Sequence, residues 1–232
     1  MNVIPLSIAL RTTLAALVWC IAVATPALAA DENLSTNARL LMAARNADQA
    51  ALERELAAGG AVNSRNRLGE TPLVIVLKNH HPELAPRLIE AGADVNLAAV
   101  NGVTPLMAAA HAGNIDIVRT LLSRGADKGA VDRLRKNAMT YAAGEGHTDV
   151  VRALVEAGVD ADAVYANELT AVMWAAGYGH TDTVRYLLSV GARADRKDDR
   201  GKTALDIARE QGFAETAAAL EAAIKVGRAP AT

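Results

Sequence analysis

Cysteine is almost absent from this chain of 232 residues, in which Cys20 is the only one. Cys20 lies in an N-terminal apolar segment, so a chain cleaved after Ala29 would contain no cysteine. Such a chain cannot form disulfides, thiolate metal sites or a cysteine nucleophile, and it suits an oxidising compartment, where a free thiol is a liability. Lipidation of Cys20 is disfavoured because the preceding Trp19 is too bulky for the small residue that this modification requires.

An excess of one charge is also lacking. The chain has 24 Lys and Arg against 26 Asp and Glu, a formal charge of −2. Loss of Arg11 with residues 1–29 leaves 23 basic against 26 acidic residues, or −3. This balance does not predict the basic surface that nucleic acid or anionic lipid would attract. Aromatic residues make up only 3% of the chain, so their positions are informative.

Long apolar runs are missing too. The uninterrupted apolar run over residues 14–24 is shorter than the ~17 residues that a membrane-spanning helix needs. It follows Arg11 and precedes a small-residue site that ends at Ala29, a pattern typical of a secretory signal peptide. We therefore predict a cleaved signal peptide over residues 1–29, no stable membrane anchor after cleavage, and a bacterial protein that is periplasmic or secreted. An uncleaved anchor is the alternative.

Motifs for catalysis and for metal binding are absent from the sequence. There is no G-x-S-x-G, no H-E-x-x-H and no phosphate-binding loop. His147 and His180 occupy equivalent places in adjacent repeats, which packed helices hold about 8–10 Å apart. Two nitrogens that share a zinc ion must each lie about 2.1 Å from it. We predict no catalytic residue, no metal site and no cofactor, since an enzyme would need ionisable groups that converge from several repeats.

What the sequence does contain is a repeat of 33 residues without a single insertion. Each repeat opens with a threonine or asparagine that can cap a helix. A fixed period of this size indicates stacked supersecondary units rather than one globular core. The opening residues are Thr71, Thr104, Asn137, Thr170 and Thr203.

One repeat, residues 104–133, predicts two short helices. Thr104 is placed as the N-cap and Pro105 at the first helical position. Gly113 ends the first helix, because glycine enters the left-handed conformation at little cost. A second helix carries apolar residues at helical spacing until Gly125. Such a unit cannot bury its own apolar faces, so neighbouring units must stack on it.

These motifs resemble the ankyrin repeat. The similarity rests on G-x-T-P-L-x-x-A-A-x-x-G over residues 102–113, on G-H at residues 146–147 and 179–180, and on G-A-D-V-N at residues 92–96. The resemblance implies an all-α ankyrin-repeat solenoid of about six helix-turn-helix units with hairpin-like fingers. It also implies a local structural role for the histidine of the G-H pair.

The predicted array covers residues 30–224, and residues 225–232 are predicted as a disordered tail. The first and last units are atypical, as expected for units at the ends of an array. The second unit is irregular, because it has His80 where other units have glycine, and Pro86, which would kink or shorten its second helix. The predicted units are residues 34–67, 68–100, 101–133, 134–166, 167–199 and 200–224.

Aromatic residues fall together on one predicted surface. Tyr141 and Trp174 each follow the capping residue of their unit by four positions, so they occupy the same place in neighbouring units. Tyr178 lies one turn beyond Trp174 on the same face, and Tyr165 lies in the finger between the two units. Aromatic side chains often anchor interfaces. The alternative is that Tyr141 and Trp174 only pack between units.

The finger ahead of Tyr141 carries Arg133, Arg135 and Lys136, a basic edge that would steer an acidic partner. The ankyrin resemblance implies that the fingers and first helices form one concave face, and these residues together with the aromatic ones predict a protein-binding site on it. We therefore predict a non-catalytic, monomeric scaffold that binds another protein. A binder of a small ligand or cell-wall fragment, and an exported factor that acts on a host protein, are the alternatives.

Overall fold

The structure, a computed structural model, describes residues 35–227. These residues form twelve α-helices in six consecutive pairs, which confirms the predicted all-α array of six helix-turn-helix units. The predicted signal peptide, residues 1–29, lies outside the described residues, as do residues 228–232. The helices are α1 Thr36–Asn46, α2 Gln49–Ala57, α3 Pro72–Lys78, α4 Ala85–Glu90, α5 Pro105–His111, α6 Ile115–Ser123, α7 Ala138–Gly144, α8 Thr148–Glu156, α9 Ala171–Gly177, α10 Thr181–Ser189, α11 Ala204–Glu210 and α12 Ala214–Gly227.

Helix caps begin the repeats where the sequence predicts them. The Thr104 hydroxyl accepts a hydrogen bond from the backbone N–H three residues on, and Thr71 and Thr170 make the same bond. The side chains of Asn137 and Thr203 accept the same bond, and the backbone N–H of each also donates to the side chain three residues on. Because these bonds satisfy N–H groups that the first helical turn leaves free, the capping residues determine where the first helix of each unit starts.

Consecutive units meet at the ends of their first helices. Gly146 has a φ of +76°, and the imidazole ring of His180 from the next unit lies against it. The Nε2 of His180 donates to the Gly144 carbonyl at 2.9 Å, and the Nε2 of His147 donates to the His111 carbonyl at 3.0 Å. Both histidines therefore join neighbouring units, in agreement with the structural role that the G-H motif implies.

One continuous apolar core runs along the array. The alanine pairs of the first helices, such as Ala109 and Ala110, are fully buried, and their small side chains allow adjacent first helices to approach closely. Each unit buries its apolar face mainly against its neighbours, so the units stabilise one another. The largest fully buried side chains are Leu40, Leu52, Leu73, Leu77, Leu88, Leu106, Met107, Leu121, Met139, Leu154, Leu187 and Leu220. None of the helices within residues 35–227 is long and apolar enough to cross a membrane.

The second unit is irregular at the positions that the sequence indicates. A 3₁₀ turn, Pro82–Leu84, precedes α4, which has six residues where α6 has nine. Pro86 lies in the first turn of α4. Backbone N–H groups there have no partner within the helix, so Pro86 costs the helix no hydrogen bond. The prediction that Pro86 shortens this helix is confirmed. His80 adopts a left-handed φ of +61° in place of the glycine of other units.

The last helix is longer than the sequence pattern predicts. Helix α12 continues to Gly227, three residues past residue 224, where the array was expected to end. Gly191 follows α10 and turns the chain towards the next unit. The residue at the same repeat position in the last unit is Ile224, which lies within α12. Without a glycine there the helix has no stop signal of this kind, and residues 225–227 are helical rather than part of the tail.

The fingers between units are tight turns. In the finger of residues 132–136, the Asp132 N–H donates to the Lys136 carbonyl at 2.9 Å, and the Asp132 carboxylate accepts from the N–H groups of Leu134 and Lys136. The described residues contain no strand apart from one isolated bridge, between Val164 and Thr170. Every finger is closed by the same backbone bond across four positions. The first to fifth fingers are residues 66–70, 99–103, 132–136, 165–169 and 198–202.

Buried carboxylates with depressed pKa values stabilise the first unit and the last finger. Burial by itself raises the pKa of Glu55, but hydrogen bonds from Arg39 and Arg54 outweigh it and hold the pKa below the ordinary value of 4.5. Burial also opposes ionisation of Asp198, and the backbone N–H of Lys202 helps to hold that pKa below its ordinary value of 3.8. Both groups are therefore ionised at neutral pH.

The array is expected to lose stability as the pH falls below 4.5. A group whose pKa is lower in the folded than in the unfolded chain contributes stability above its unfolded pKa, and this contribution is lost on protonation. Thermal denaturation followed by circular dichroism from about pH 7 to about pH 3 measures the effect. A melting temperature that stays constant across this range would contradict it. The groups with a lowered pKa are Glu55, Glu70, Asp195, Asp198 and Asp206, of which Asp195 is exposed.

Candidate functional site

Trp174 and Tyr178 form an aromatic stack at the end of α9. Their rings are nearly parallel, with an angle of 8° and centroids 6.3 Å apart. Trp174 is half-buried, whereas Tyr178 exposes 57% of its surface. The imidazole of His180 continues the stack, 6.4 Å from the Tyr178 ring. The structure thus brings together two of the four predicted aromatic anchors and leaves one of them open to solvent.

Lys136 connects this stack to the preceding unit. Its ammonium lies 4.3 Å from the Trp174 ring centroid and 5.6 Å from the Tyr141 ring centroid. A cation within about 6 Å of a ring centroid is attracted by the negative face of the ring. Lys136 has no carboxylate partner within residues 35–227, so the two rings are its main electrostatic partners. It therefore joins Tyr141 and Trp174 into one aromatic surface.

Tyr141 has a structural role as well as a place on this surface. Its hydroxyl donates to the Asp132 carboxylate at 2.7 Å, which ties α7 to the third finger. Burial, together with this hydrogen bond, raises the pKa of Tyr141, so the hydroxyl stays protonated and remains a donor at neutral pH. The His111 ring packs edge-on at 5.6 Å. Tyr141 is half-buried and both packs between units and borders the face.

Tyr165, the fourth predicted aromatic anchor, does not join the stack. Its ring packs against the apolar core, and burial raises its pKa. Its N–H donates to the Leu169 carbonyl and closes the fourth finger. Among the described residues its ring makes no aromatic contact with Tyr141 or Trp174. Three of the four predicted aromatic residues therefore border one surface, and Tyr165 packs against the core.

Two open grooves flank the aromatic residues. Ala108 occupies the place that Tyr141 and Trp174 take in later units, and beside Tyr141 its small side chain borders a groove of about 240 Å³. Leu77 and Met107 supply part of the apolar lining of this groove. A second groove of about 250 Å³ lies next to Trp174 and is also lined by Ile207 and Gln211. Both grooves can receive a side chain from a bound partner.

The predicted basic edge divides into two parts. Lys136 faces the aromatic rings, whereas Arg133 and Arg135 are exposed and make no ion pair with any described carboxylate. The fifth finger differs, because there Arg200 pairs with the buried Asp198 at 2.6 Å. Two guanidinium groups on the third finger are therefore left for a partner to neutralise.

The histidines and acidic residues of the described part of the chain are not arranged as a metal site. This part contains no group of three or more His, Asp or Glu side chains placed to hold a metal ion. His147 and His180 are each engaged with a backbone carbonyl of the preceding unit. The charges of the run at residues 195–200 are largely paired, as in the ion pair of Arg196 with Asp162.

Two features of this face escape the sequence patterns used above. One is the groove beside Tyr141. Its signal in the sequence is Ala108, because the units before and after have larger side chains at the same repeat position. The other is the tip of the third finger, where Arg135 replaces the glycine found at Gly102. A comparison of each repeat position across all units would have found both, because the side-chain volume at one position determines how closely the neighbouring units approach.

One family model and many solved structures match this chain. A family model described as Ankyrin repeats (3 copies) matches residues 40–132 and 139–228. The crystal structure of an ankyrin repeat domain from Acinetobacter baumannii is 33% identical to this chain, covers 79% of this chain and 96% of that one, and has a TM-score of 0.69. No curated protein matches. Residues 133–138, which include the basic part of the third finger, fall between the two segments matched by the family model.

Proposed function

Since this chain belongs to the ankyrin-repeat family, we propose that it is a non-catalytic protein–protein interaction scaffold of the bacterial periplasm. Ankyrin repeats generally mediate contacts between proteins, and ankyrin-repeat proteins are typically not enzymes. The partner is another protein, which a single copy of the chain binds on the concave face formed by the first helices and the fingers.

The observation that carries this proposal is the stack of Trp174 and Tyr178 with Lys136 beside it. Aromatic side chains present a large apolar area with few rotatable bonds, and they dominate the binding energy of many interfaces. The stack lies between two open grooves, so a partner that covers it can also place side chains in the recesses on either side. Arg133 and Arg135 at the edge favour an acidic partner.

A small ligand suits this face less well than a protein does. Pockets that hold drug-sized ligands measure about 300–1,000 Å³ and enclose most of the ligand surface. The two grooves measure about 240 and 250 Å³ and are open to solvent. A cell-wall fragment would meet the same limit, because little of its surface would be enclosed. The dimensions therefore favour a partner that covers the whole face.

The proposed location is the periplasm or the medium. It is supported by the signal-peptide pattern of residues 1–29 and by the lack of cysteine after Cys20. Fractionation of cells that express the full chain tests it, because the processed form should be recovered outside the cytoplasm. Recovery from the medium rather than from the periplasm would favour an exported factor that acts on a host protein.

Trp174→Ala and Tyr178→Ala are each expected to weaken partner binding about tenfold, because truncation of an aromatic anchor removes on the order of 1–2 kcal/mol of binding free energy. The partner would first be identified by crosslinking in cells that express the full chain. Its affinity for each purified variant would then be measured by surface plasmon resonance.

Tyr186→Ala is the matched control for loss of an aromatic ring. Tyr186 lies on a second helix, α10, where Arg152 packs over its ring at 4.3 Å, away from the proposed face. Its removal should leave the affinity unchanged, and circular dichroism should show that all three variants are folded. Unchanged affinity of both face variants would rule out the proposed binding surface.

A further inference from the structure

We propose that the gap between the third and fourth fingers receives an extended, acidic peptide segment of the partner, and this rests on the proposed function. We call this gap the finger seam and define it by residues 133–135 of the third finger and residues 164–166 beside the fourth. Among the four junctions between consecutive described fingers, it is the one at which the backbone bond between fingertips is absent.

Neighbouring fingers are otherwise joined tip to tip by one backbone hydrogen bond. The N–H of Val100 donates to Leu68 at 2.8 Å, and the N–H of Arg133 donates to Asn101 at 3.0 Å. The bond at the equivalent place in the fourth and fifth fingers measures 3.1 Å. Between the third and fourth fingers, the 33-residue register calls for a bond from the Ala166 N–H to the Leu134 carbonyl. This bond is not formed, and neither group has another partner within residues 35–227.

The broken pairing coincides with two departures from the other fingers: the third fingertip has a side chain where the first, second and fifth have glycine, and the fourth finger has two successive left-handed residues. A β-carbon at Gly69 would lie 2.8 Å from the Val100 side chain, and a β-carbon at Gly102 would lie 2.9 Å from the Asp132 α-carbon. Glycine at the tip of the first and second fingers thus allows the next finger to pack closely against it. The third finger has Arg135 at this position, so a fourth finger packed in the same way would meet its β-carbon.

The backbone on both sides of the seam is strained. Arg135 has a φ of +59°, and Asn167 and Glu168 both have a φ of +58°. Left-handed backbone is uncommon for residues other than glycine, and non-glycine residues in this region tend to cluster at functional sites. The two left-handed residues in succession reshape the fourth finger, which still pairs with the fifth through the Asn167 carbonyl. The strain is thus concentrated at the finger whose pairing with its predecessor is lost.

The side chains around the seam determine what would fit it. Arg133 and Arg135 carry positive charges with no described carboxylate partner, while Leu134 and Val164 expose 67% and 47% of their surfaces. Along the third finger the apolar Leu134 stands between the charged Arg133 and Arg135. A segment that alternates acidic and apolar residues would neutralise the guanidinium groups and cover the apolar ones. Its own backbone would satisfy the free Leu134 carbonyl and Ala166 N–H.

Selection from a phage-displayed library of random linear peptides tests the proposal directly. The full chain is expected to enrich peptides in which Asp or Glu alternates with apolar residues. Arg135→Gly restores the fingertip glycine, so it should close the seam and weaken binding of an enriched synthetic peptide about tenfold. Arg135→Asn removes the charge but keeps a β-carbon and tolerates left-handed backbone, so the loss should be only about threefold.

Glu168→Gly is the matched control, because it makes the same replacement at the tip of the fourth finger and leaves the seam open. The Glu168→Gly variant should bind the peptide with the same affinity as the natural chain. All three variants should have a melting temperature at or above that of the natural chain. Enrichment of non-acidic peptides, the absence of any enrichment, or equal losses for Arg135→Gly and Arg135→Asn would overturn the proposal.

If Trp174→Ala weakens partner binding and Arg135→Gly does not, the seam is wrong while the proposed function stands. If neither does, the proposed function itself fails.

Discussion

Replacement of Gly146 by alanine is expected to lower the free energy of unfolding by about 3 kcal/mol. The left-handed backbone at a φ of +76° disfavours an L-residue by about 1–2 kcal/mol. The added β-carbon would also stand 2.4 Å from Nδ1 of His180 in the next unit. The ring must then move, which breaks its hydrogen bond to the Gly144 carbonyl, worth about 1 kcal/mol.

Gly212→Ala is the matched control, because Gly212 has the same place in the last unit and a φ of +80°. No unit stacks on it, and a β-carbon there would meet nothing within 4 Å. We expect a loss of about 1 kcal/mol, from the backbone conformation alone. Urea denaturation of both variants measures the difference. Equal losses would show that the contact with His180 contributes nothing, contrary to the argument from geometry.

Glu55→Ala is expected to lower the stability of the first unit by about 2 kcal/mol. The Glu55 side chain is only 4% exposed, and its carboxylate accepts from Arg39 at 2.8 Å and from Arg54 at 3.0 Å. Removal of one partner from a fully buried pair costs about 3–5 kcal/mol. The loss here should be smaller, because Arg39 and Arg54 retain side-chain exposures of 25% and 63% and can be hydrated when the carboxylate is gone.

The effect of Glu55→Ala should be largest in the first unit, because units of a repeat array interact chiefly with their nearest neighbours. Amide hydrogen exchange should therefore accelerate in α1 and α2 more than in α7 or α9. Glu53→Ala on the same helix is the control, since Glu53 is exposed and bonds only to Gln49; its effect should stay below about 0.5 kcal/mol. Unchanged protection of α1 and α2 would contradict the role given to Glu55.

The fold follows from local signals that recur at a fixed interval. Thr104 and its equivalents cap a helix through a bond to the residue three positions on, which needs no information from elsewhere in the chain. Pro86 shortens α4 through its own missing N–H. The sequence pattern did not predict where α12 ends. Ile224 stands where glycine would end the helix, and the lack of that glycine does not specify another end point.

The candidate site was only partly accessible to sequence reasoning. Trp174 and Tyr178 are one helical turn apart, and that spacing predicts the contact that the structure contains. Tyr165 lies in a finger, for which no helical periodicity predicts the direction of a side chain, and its ring packs against the core. The cation–π contact of Lys136 depends on a rotamer and on the distance between two units, neither of which the spacing of residues determines.

The sequence by itself determined the number of units, their register and the identity of the family, because caps, glycines and apolar spacing act within one unit and repeat every 33 residues. Only the tertiary structure decided what meets across units: the His180 ring against Gly146, the Tyr141 hydroxyl on Asp132, and the absent backbone bond between the third and fourth fingers. These contacts are set by side-chain volumes and by distances between stacked units, which the local pattern within one unit does not encode.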